Sequence, residues 1–346
     1  MLITYTISHF LVDFACGWAI FHSAAYSEIG ILCILLYNFL AFAMQMPLGL
    51  WADSFNRNAW CAAAGCALTG LACCLPWHPL ALTILAGVGN ALFHLGGGID
   101  VLNSCGRRSG PLGIFVSTGA FGIFYGCRLG HSSPDWGLAI ALVLALTATT
   151  ILVQQWRRCH SWQSANAPLA KPHFNSAYAL AAACLFAVVV LRSYMGFALA
   201  FPWKALAPWG TLALCALVAG KMCGGLIADR LGMLKASIVT LALAALLFLF
   251  ADQPLAGILA ILLFNMTMPL TLGALAAISP GCKGLAFGAL TLGLFLGSLP
   301  NFFDIHILSH TPLSFCAITL ISLALLGVGL KQAETHLRSS EDAFPA

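Results

Sequence analysis

Long apolar runs, each followed within a few residues by another, constrain this 346-residue chain more than anything else in it. A membrane-spanning helix needs about 20 apolar residues. Twelve such stretches can be read, at 2–24, 29–51, 59–76, 79–103, 110–130, 135–155, 175–196, 206–228, 235–251, 254–278, 283–303 and 311–330. Only 8% of residues are charged, against about 25% in ordinary globular domains. The mean hydropathy of +0.94 rules out a soluble domain. The expected class is an all-α integral membrane protein with twelve transmembrane helices. Only 156–174 is long and polar enough to link two bundles; it holds Arg157, Arg158, Pro168, Lys171 and Pro172. The expected organisation is a six-helix bundle over 1–155, a cytoplasmic linker over 156–174, a second six-helix bundle over 175–330 and a cytoplasmic tail over 331–346.

The basic residues set an orientation. Arg57, Arg107, Arg108, Arg157, Arg158, Lys171, Arg230, Lys235, Lys283, Lys331 and Arg338 fall on the side shared by both termini, while Arg128 and Lys204 fall near the other. Positive residues stay in the cytoplasm, so a multi-pass protein of the cytoplasmic (inner) membrane with both termini inside is expected. The net charge of +4 follows from this bias and implies no nucleic-acid partner. Met1 leads almost directly into a span, so no removable signal peptide is expected. The fourteen cysteines form no C-x-x-C pair and the ten histidines no H-E-x-x-H. Neither a metal nor a cofactor is expected from spacing alone.

A structural unit is used twice. Gly49-Leu50-Trp51-Ala52-Asp53-Ser54-Phe55-Asn56-Arg57 and Gly225-Leu226-Ile227-Ala228-Asp229-Arg230-Leu231-Gly232 each sit between apolar runs, and their aspartates lie almost half a chain apart. Gly113, Gly122 and Gly126 recur with the same spacing, at nearly the same offset, as Gly284, Gly293 and Gly297. Asn90 recurs in the same way as Asn265. The Asp13–Ile20 stretch of span 1 aligns with Arg192–Leu199 of span 7 at a similar offset. Small residues at every fourth position let transmembrane helices approach closely, so the six glycines are first read as packing positions.

The duplicated cassettes resemble the loop between the second and third helices in each half of a major facilitator superfamily transporter, roughly G-x-L-A-D-x-x-G-R-K. Span 5 is similar to the G-x8-G-x3-G-P signature of drug/proton antiporters, with Cys127 in place of the proline. Ser8-His9-Phe10-Leu11-Val12-Asp13, Phe93-His94 and Leu191-Arg192-Ser193 before Phe201-Pro202 resemble the fosmidomycin-resistance branch. The resemblance implies two parallel repeats, with spans 1, 4, 7 and 10 lining a central cavity and the cassettes latching its cytoplasmic side.

Charges within spans are costly, by about 2.5–3.5 kcal/mol on the lenient scale, and mark candidate sites. His9 and Asp13 share one face of span 1, and Arg192 holds the matching place in span 7. Asp13 and Arg192 are read either as a fixed ion pair or as a working site. His94 is read either as a titrating group, since histidine ordinarily titrates near pH 6.5, or as a neutral ring bonded to a carbonyl. Asn38, Asn90, Tyr194, Asn265 and Asn301 complete the candidate cavity set. A cytoplasmic gate is assigned to Gly49, Asp53, Arg57, Asp100, Arg107, Arg108, Gly225, Asp229 and Arg230. The Gly96-Gly97-Gly98 run is read as loosening span 4 or seating a neighbour.

These readings lead to a secondary active transporter of a small organic solute working by alternating access, with proton-coupled efflux expected. A proton-coupled importer or a uniporter is the alternative. A non-transporting sensor or scaffold is the second class, and an enzyme using His9/Asp13 or His94/Asp100 lacks a recognisable nucleophile. The expected partners are the solute, protons and lipid, with the chain acting as a monomer and without nucleotide.

Overall fold

The computed structural model describes residues 1–132, 134–160, 174–199, 201–305, 307 and 311–343. Among these, ten helices are long and apolar enough to cross a membrane: α1 (Leu2–Tyr26), α2 (Gly30–Phe55), α4 (Pro79–Ser104), α5 (Gly110–Ser132), α6 (Gly137–Arg158), α7 (Ser176–Ala198), α8 (Trp209–Leu231), α10 (Pro254–Ile278), α11 (Lys283–Phe302) and α12 (Pro312–Ser339). Two shorter apolar helices, α3 (Asn58–Cys73) and α9 (Met233–Phe248), bring the number to twelve. Lipid offers the backbone no hydrogen-bond partners, so helices that satisfy themselves internally are the outcome for such runs. Their ends follow local chemistry. Proline occupies the first turn of α4 and α10, where its missing N–H loses nothing. Asn175 caps α7 by accepting from Tyr178 N at 2.8 Å.

Two differences from the expected boundaries have clear causes. The chain after residue 330, expected as a tail, continues the helix α12. That stretch is made of good helix formers, and Arg338 pairs with Glu334 one turn back at 2.6 Å. The expected linker is shortened, because α6 runs through Arg158. Its 161–173 portion, including Pro168, Lys171 and Pro172, lies outside the described residues, as do His306 and His310.

The chain forms two compact units. The first contains Met1–Gly106, the described part of Phe115–Leu169, and Lys283–Leu292. The second contains Arg107–Ile114, the described part of Ala170–Cys282, and the described part of Gly293–Ala346. The first turns of α5 and α11 thus belong to the unit that does not hold the rest of the helix. Within the first unit α2 packs on α4, α3 on α6, and α1 on α4. Within the second, α8 packs on α10, α9 on α12, and α7 on α10. These are the same pairings shifted by six helices, which is the repeat expressed as packing.

Small residues set the approach distances. A Cβ on Gly96 would strike the α3 backbone at Asn58 and Ala62; on Gly97 it would press on Tyr5 and Phe115, and on Gly98 on the Phe287 ring. The helix α4 is unbroken through all three. The triple glycine therefore seats residues of four neighbouring helices, α1, α3, α5 and α11, and does not loosen its own helix. Elsewhere the helices are modified: α2 contains a π turn at Phe39–Ala43, and α5 is interrupted at Thr118, between Gly110–Ser117 and Gly119–Ser132. The α5 break falls well before Cys127, which stands where the antiporter signature has its proline.

Candidate functional site

Four polar side chains meet inside the first unit. His9 and Asp13 project from one face of α1, and Asn90 and His94 from one face of α4, each pair one turn apart. His9 Nε2 lies 3.3 Å from Asp13 Oδ2 and 2.8 Å from His94 Nε2. His94 Nε2 lies 3.7 Å from Asp13 Oδ1, which accepts a 2.8 Å hydrogen bond from Asn90 Nδ2. The outer ring nitrogens are held by main chain: His9 Nδ1 is 2.7 Å from Phe115 O, and His94 Nδ1 is 2.9 Å from Asn90 O. A carbonyl oxygen only accepts, so each Nδ1 carries the hydrogen. Both rings are thereby fixed, with their Nε2 edges turned toward one another and toward Asp13.

The helix α5 completes this arrangement in two ways. The first is the Phe115 carbonyl. It lies in the last turn before the Thr118 interruption, where helical carbonyls lack an obligatory partner, so it can accept from His9. The second is Gly119, where a Cβ would run into both Asp13 Oδ2 and His9 Nε2. Gly122 and Gly126 continue the same stripe against the α1 backbone at Phe10 and Phe14. The rings of Phe93 and Phe115 stand 6.3 and 5.0 Å from that of His9, centroid to centroid. In these low-dielectric surroundings the charges interact with little screening.

The sequence-derived set divides clearly. His9, Asp13, Asn90 and His94 come together. Asn38 does not join them: its Nδ2 donates to Ile34 O of its own helix at 2.8 Å. In the second unit Asn265 Nδ2 donates likewise to Ile261 O at 2.8 Å. Arg192 is buried, and its Nη1 has no hydrogen-bond partner among the described residues. Beside it, Ser193 Oγ donates to Leu294 O at 2.5 Å, tying α7 to α11. Tyr194 is buried on the same helix, and Asn301 Nδ2 is a buried donor without a partner among the described residues. Gly119 and the Phe115 carbonyl were missed. Gly119 had a signal, because it stands three residues before Gly122 and so near the same helix face as Gly122, Gly126 and Gly130; a backbone acceptor has none.

No family model matches the sequence, and no curated protein matches it. Solved structures do match. A human organic anion transporter superposes with a TM-score of 0.68 at 15% identity, over 94% of this chain and 98% of its own. The fucose:proton symporter of E. coli gives 0.62 at 12% identity, over 97% and 98%. A second structure of the fucose transporter, in the outward conformation and described as a major facilitator superfamily transporter, gives 0.60 at 14% identity, over 96% and 99%. This chain has the major facilitator fold.

Within that fold the duplicated cassettes do the same thing twice. Asp53, at the end of α2, accepts from Gly284 N at 2.7 Å and Leu285 N at 2.9 Å, the first turn of α11. Asp229, at the end of α8, accepts from Ser109 N at 2.6 Å and Gly110 N at 3.0 Å, the first turn of α5. A helix N-terminus offers free N–H groups and partial positive charge, so a carboxylate belongs there. The glycine one turn before each aspartate makes the approach possible. A Cβ on Gly49 would strike Gly284 O, and one on Gly225 would strike Ser109 O. Gly113 and Gly284 are the partners' counterparts: Cβ atoms there would come within 2.6 Å of Lys221 O and 2.5 Å of Gly49 O. Just after each aspartate the chain turns through positive φ, 50° at Asn56 and 82° at Gly232, the usual stop for a helix.

The arginines assigned to the gate, Arg57, Arg107, Arg108 and Arg230, are exposed. Asp100, grouped with them from sequence, is buried and pairs with Arg158 Nη1 at 3.2 Å. The extension of α6 through Arg158 is what supplies this partner. Of the packing glycines, a Cβ on Gly297 would strike Val190 O of α7, whereas one on Gly293 would meet the Phe186 ring at 3.3 Å and Val189 Cγ1 at 3.4 Å.

Proposed function

We propose that the chain is a secondary active transporter that exports a small organic solute across the cytoplasmic membrane, driven by protons. The observation that carries this reading is the His9–Asp13–His94 cluster, two buried histidines on a half-buried carboxylate, inside a major facilitator fold. Charged and titratable groups are expensive in the middle of a span, and they are retained where a pathway or relay uses them. In this reading Asp13 and the two histidines bind and release the proton, and Arg192 holds an anionic or polar group of the solute. Asn90, Tyr194, Asn265 and Asn301 serve the solute path. A fucose:proton symporter among the similar structures supports protons as the coupling ion, and the resemblance to the fosmidomycin-resistance branch supports efflux.

The mechanism is alternating access. The Asp53 and Asp229 contacts act as latches that break and reform on the cytoplasmic side as α11 and α5 shift their first turns. The positive-inside bias places both termini in the cytoplasm, and the working unit is a monomer in lipid. The test is reconstitution of the full chain into proteoliposomes with an internal pH dye, followed by a screen of small metabolites and antibiotics. A solute that moves protons in the wild type supports the reading. Solute movement indifferent to the pH gradient leaves a uniporter, and no flux across a broad screen leaves a sensor or scaffold.

A further inference from the structure

Each imidazole in the first-unit cluster has its Nδ1 hydrogen committed to a backbone carbonyl, His9 to Phe115 O and His94 to Asn90 O. Each Nε2 therefore presents a lone pair, and the two Nε2 atoms are 2.8 Å apart. Two lone pairs repel at that distance, so the arrangement calls for a cation between them. Asp13 adds a carboxylate on the same side, at 3.3 Å from His9 Nε2 and 3.7 Å from His94 Nε2. Ligand atoms of all three residues lie within 4.8 Å of one another.

From this geometry we infer that His9 Nε2, His94 Nε2 and the Asp13 carboxylate form a binding site for one divalent first-row transition-metal ion. Mixed imidazole and carboxylate donors suit the zinc-to-iron range and do not suit calcium or magnesium, which take oxygen ligands. The second shell is already built: the far nitrogen of each histidine donates to a fixed carbonyl, and Asn90 Nδ2 orients the carboxylate. Metal-binding histidines are ordinarily held in this way. A separate observation points the same way. Asn90 Oδ1, on the amide that already touches Asp13, is a buried acceptor without a hydrogen-bond partner.

The spacing is close to what an ion needs. With metal–ligand distances of about 2.0–2.1 Å, tetrahedral ligands stand about 3.3 Å apart. The three separations here, 2.8, 3.3 and 3.7 Å, bracket that value. Loading requires the two Nε2 atoms to part slightly, which small ring rotations allow. Phe93 and Phe115 pack near the His9 ring, and Gly119 lies against His9 Nε2 and Asp13 Oδ2. A proton held between the two rings and a metal ion are then alternative occupants of one place. The sequence concealed the site because its histidines stand far apart in the chain, on different helices.

The inference goes beyond the transport reading and is measured without flux. The full chain, purified in detergent, is titrated with Co²⁺ and followed by visible ligand-field absorption, with Zn²⁺ as competitor. One Co²⁺ per chain is expected, with nitrogen and oxygen ligand-field bands and no thiolate charge-transfer band despite the fourteen cysteines. Zn²⁺ should displace it and raise the thermal midpoint of the wild type. His94→Gln and His9→Gln should each weaken binding at least tenfold, while His78→Gln should leave it unchanged. Undiminished binding in both cluster variants, thiolate bands, or absence of both a spectrum and a thermal shift in the wild type would overturn the site. A failed solute screen would leave this result standing, and absent metal binding would leave the transport reading standing.

Discussion

Asp53 and Asp229 lie half a chain apart and act identically, since each accepts two N–H groups from the first turn of a helix that begins in its own compact unit. Asp13 and Arg192 stand at a matching offset in the sequence, yet their surroundings differ. Asp13 is surrounded by His9, His94 and Asn90, whereas Arg192 Nη1 is buried without a partner among the described residues. The duplicated unit has kept its crossings and diverged at its mid-span polar positions. Where the two copies still agree, backbone geometry dictates the residue: glycine for close approach, a carboxylate for a helix end, a left-handed residue for the reversal. Where they differ, chemistry dictates it.

The comparison is most sharply tested at Arg192. If its guanidinium holds a polar solute group, Arg192→Ala removes a charge-assisted hydrogen bond of about 1.5–3 kcal/mol, roughly a ten- to hundredfold loss of affinity. Equilibrium binding of the solute identified by reconstitution reads this directly. Arg192→Lys should recover only part of it, since lysine lacks the planar two-pronged donor. Unchanged affinity in Arg192→Ala would reduce Arg192 to a packing residue.

The glycine stripes should respond unequally despite their matched spacing. At Gly119 and Gly122 an added methyl meets Asp13, His9 and the Phe10 backbone. Overpacking of this kind costs about 1–3 kcal/mol, so Gly119→Ala and Gly122→Ala should lower the thermal midpoint in detergent by several degrees. At Gly293 the nearest neighbour is a ring, at 3.3 Å, so Gly293→Ala should be near neutral. Equal losses at Gly122 and Gly293 would mean that the two stripes are equivalent after all.

The latches should show the smallest effects, and similar ones. Asparagine in place of either aspartate removes the charge and can no longer accept both N–H bonds, at about 1 kcal/mol or somewhat more. Asp53 is buried and Asp229 exposed, so Asp53→Asn should shift the balance between open and closed states further. Labelling of single introduced cysteines on each face measures that balance. A larger shift for Asp229→Asn would contradict the ranking by burial.

Much of this architecture was legible in the chain. The spans at 79–103, 254–278 and 283–303 correspond to Pro79–Ser104, Pro254–Ile278 and Lys283–Phe302, because hydropathy and proline stops act locally. The cassettes were legible because repetition exposes them. His9 and Asp13 could be placed on one face of span 1 from their spacing, and Asn90 and His94 stand one helical turn apart in the same way. The pairing of the two faces depends on how α1 meets α4 and on where α5 breaks, which no local pattern encodes. Asn38 and Asn265 show a different limit of the sequence. A polar residue in a span invites a functional reading, and the sequence does not reveal that each amide donates to the carbonyl one turn back. Asp100 found Arg158 only because α6 outlasts its apolar run.

The central claim is that the polar cluster of the first unit, and Asp13 above all, couples solute movement to protons. Its most direct test compares uphill accumulation with solute exchange for Asp13→Asn in proteoliposomes carrying an imposed pH gradient. We expect accumulation to vanish while exchange of labelled for unlabelled solute continues, since the carboxylate is lost but Arg192 and the latches remain. Accumulation with an intact dependence on the pH gradient would contradict the claim and move proton coupling away from Asp13.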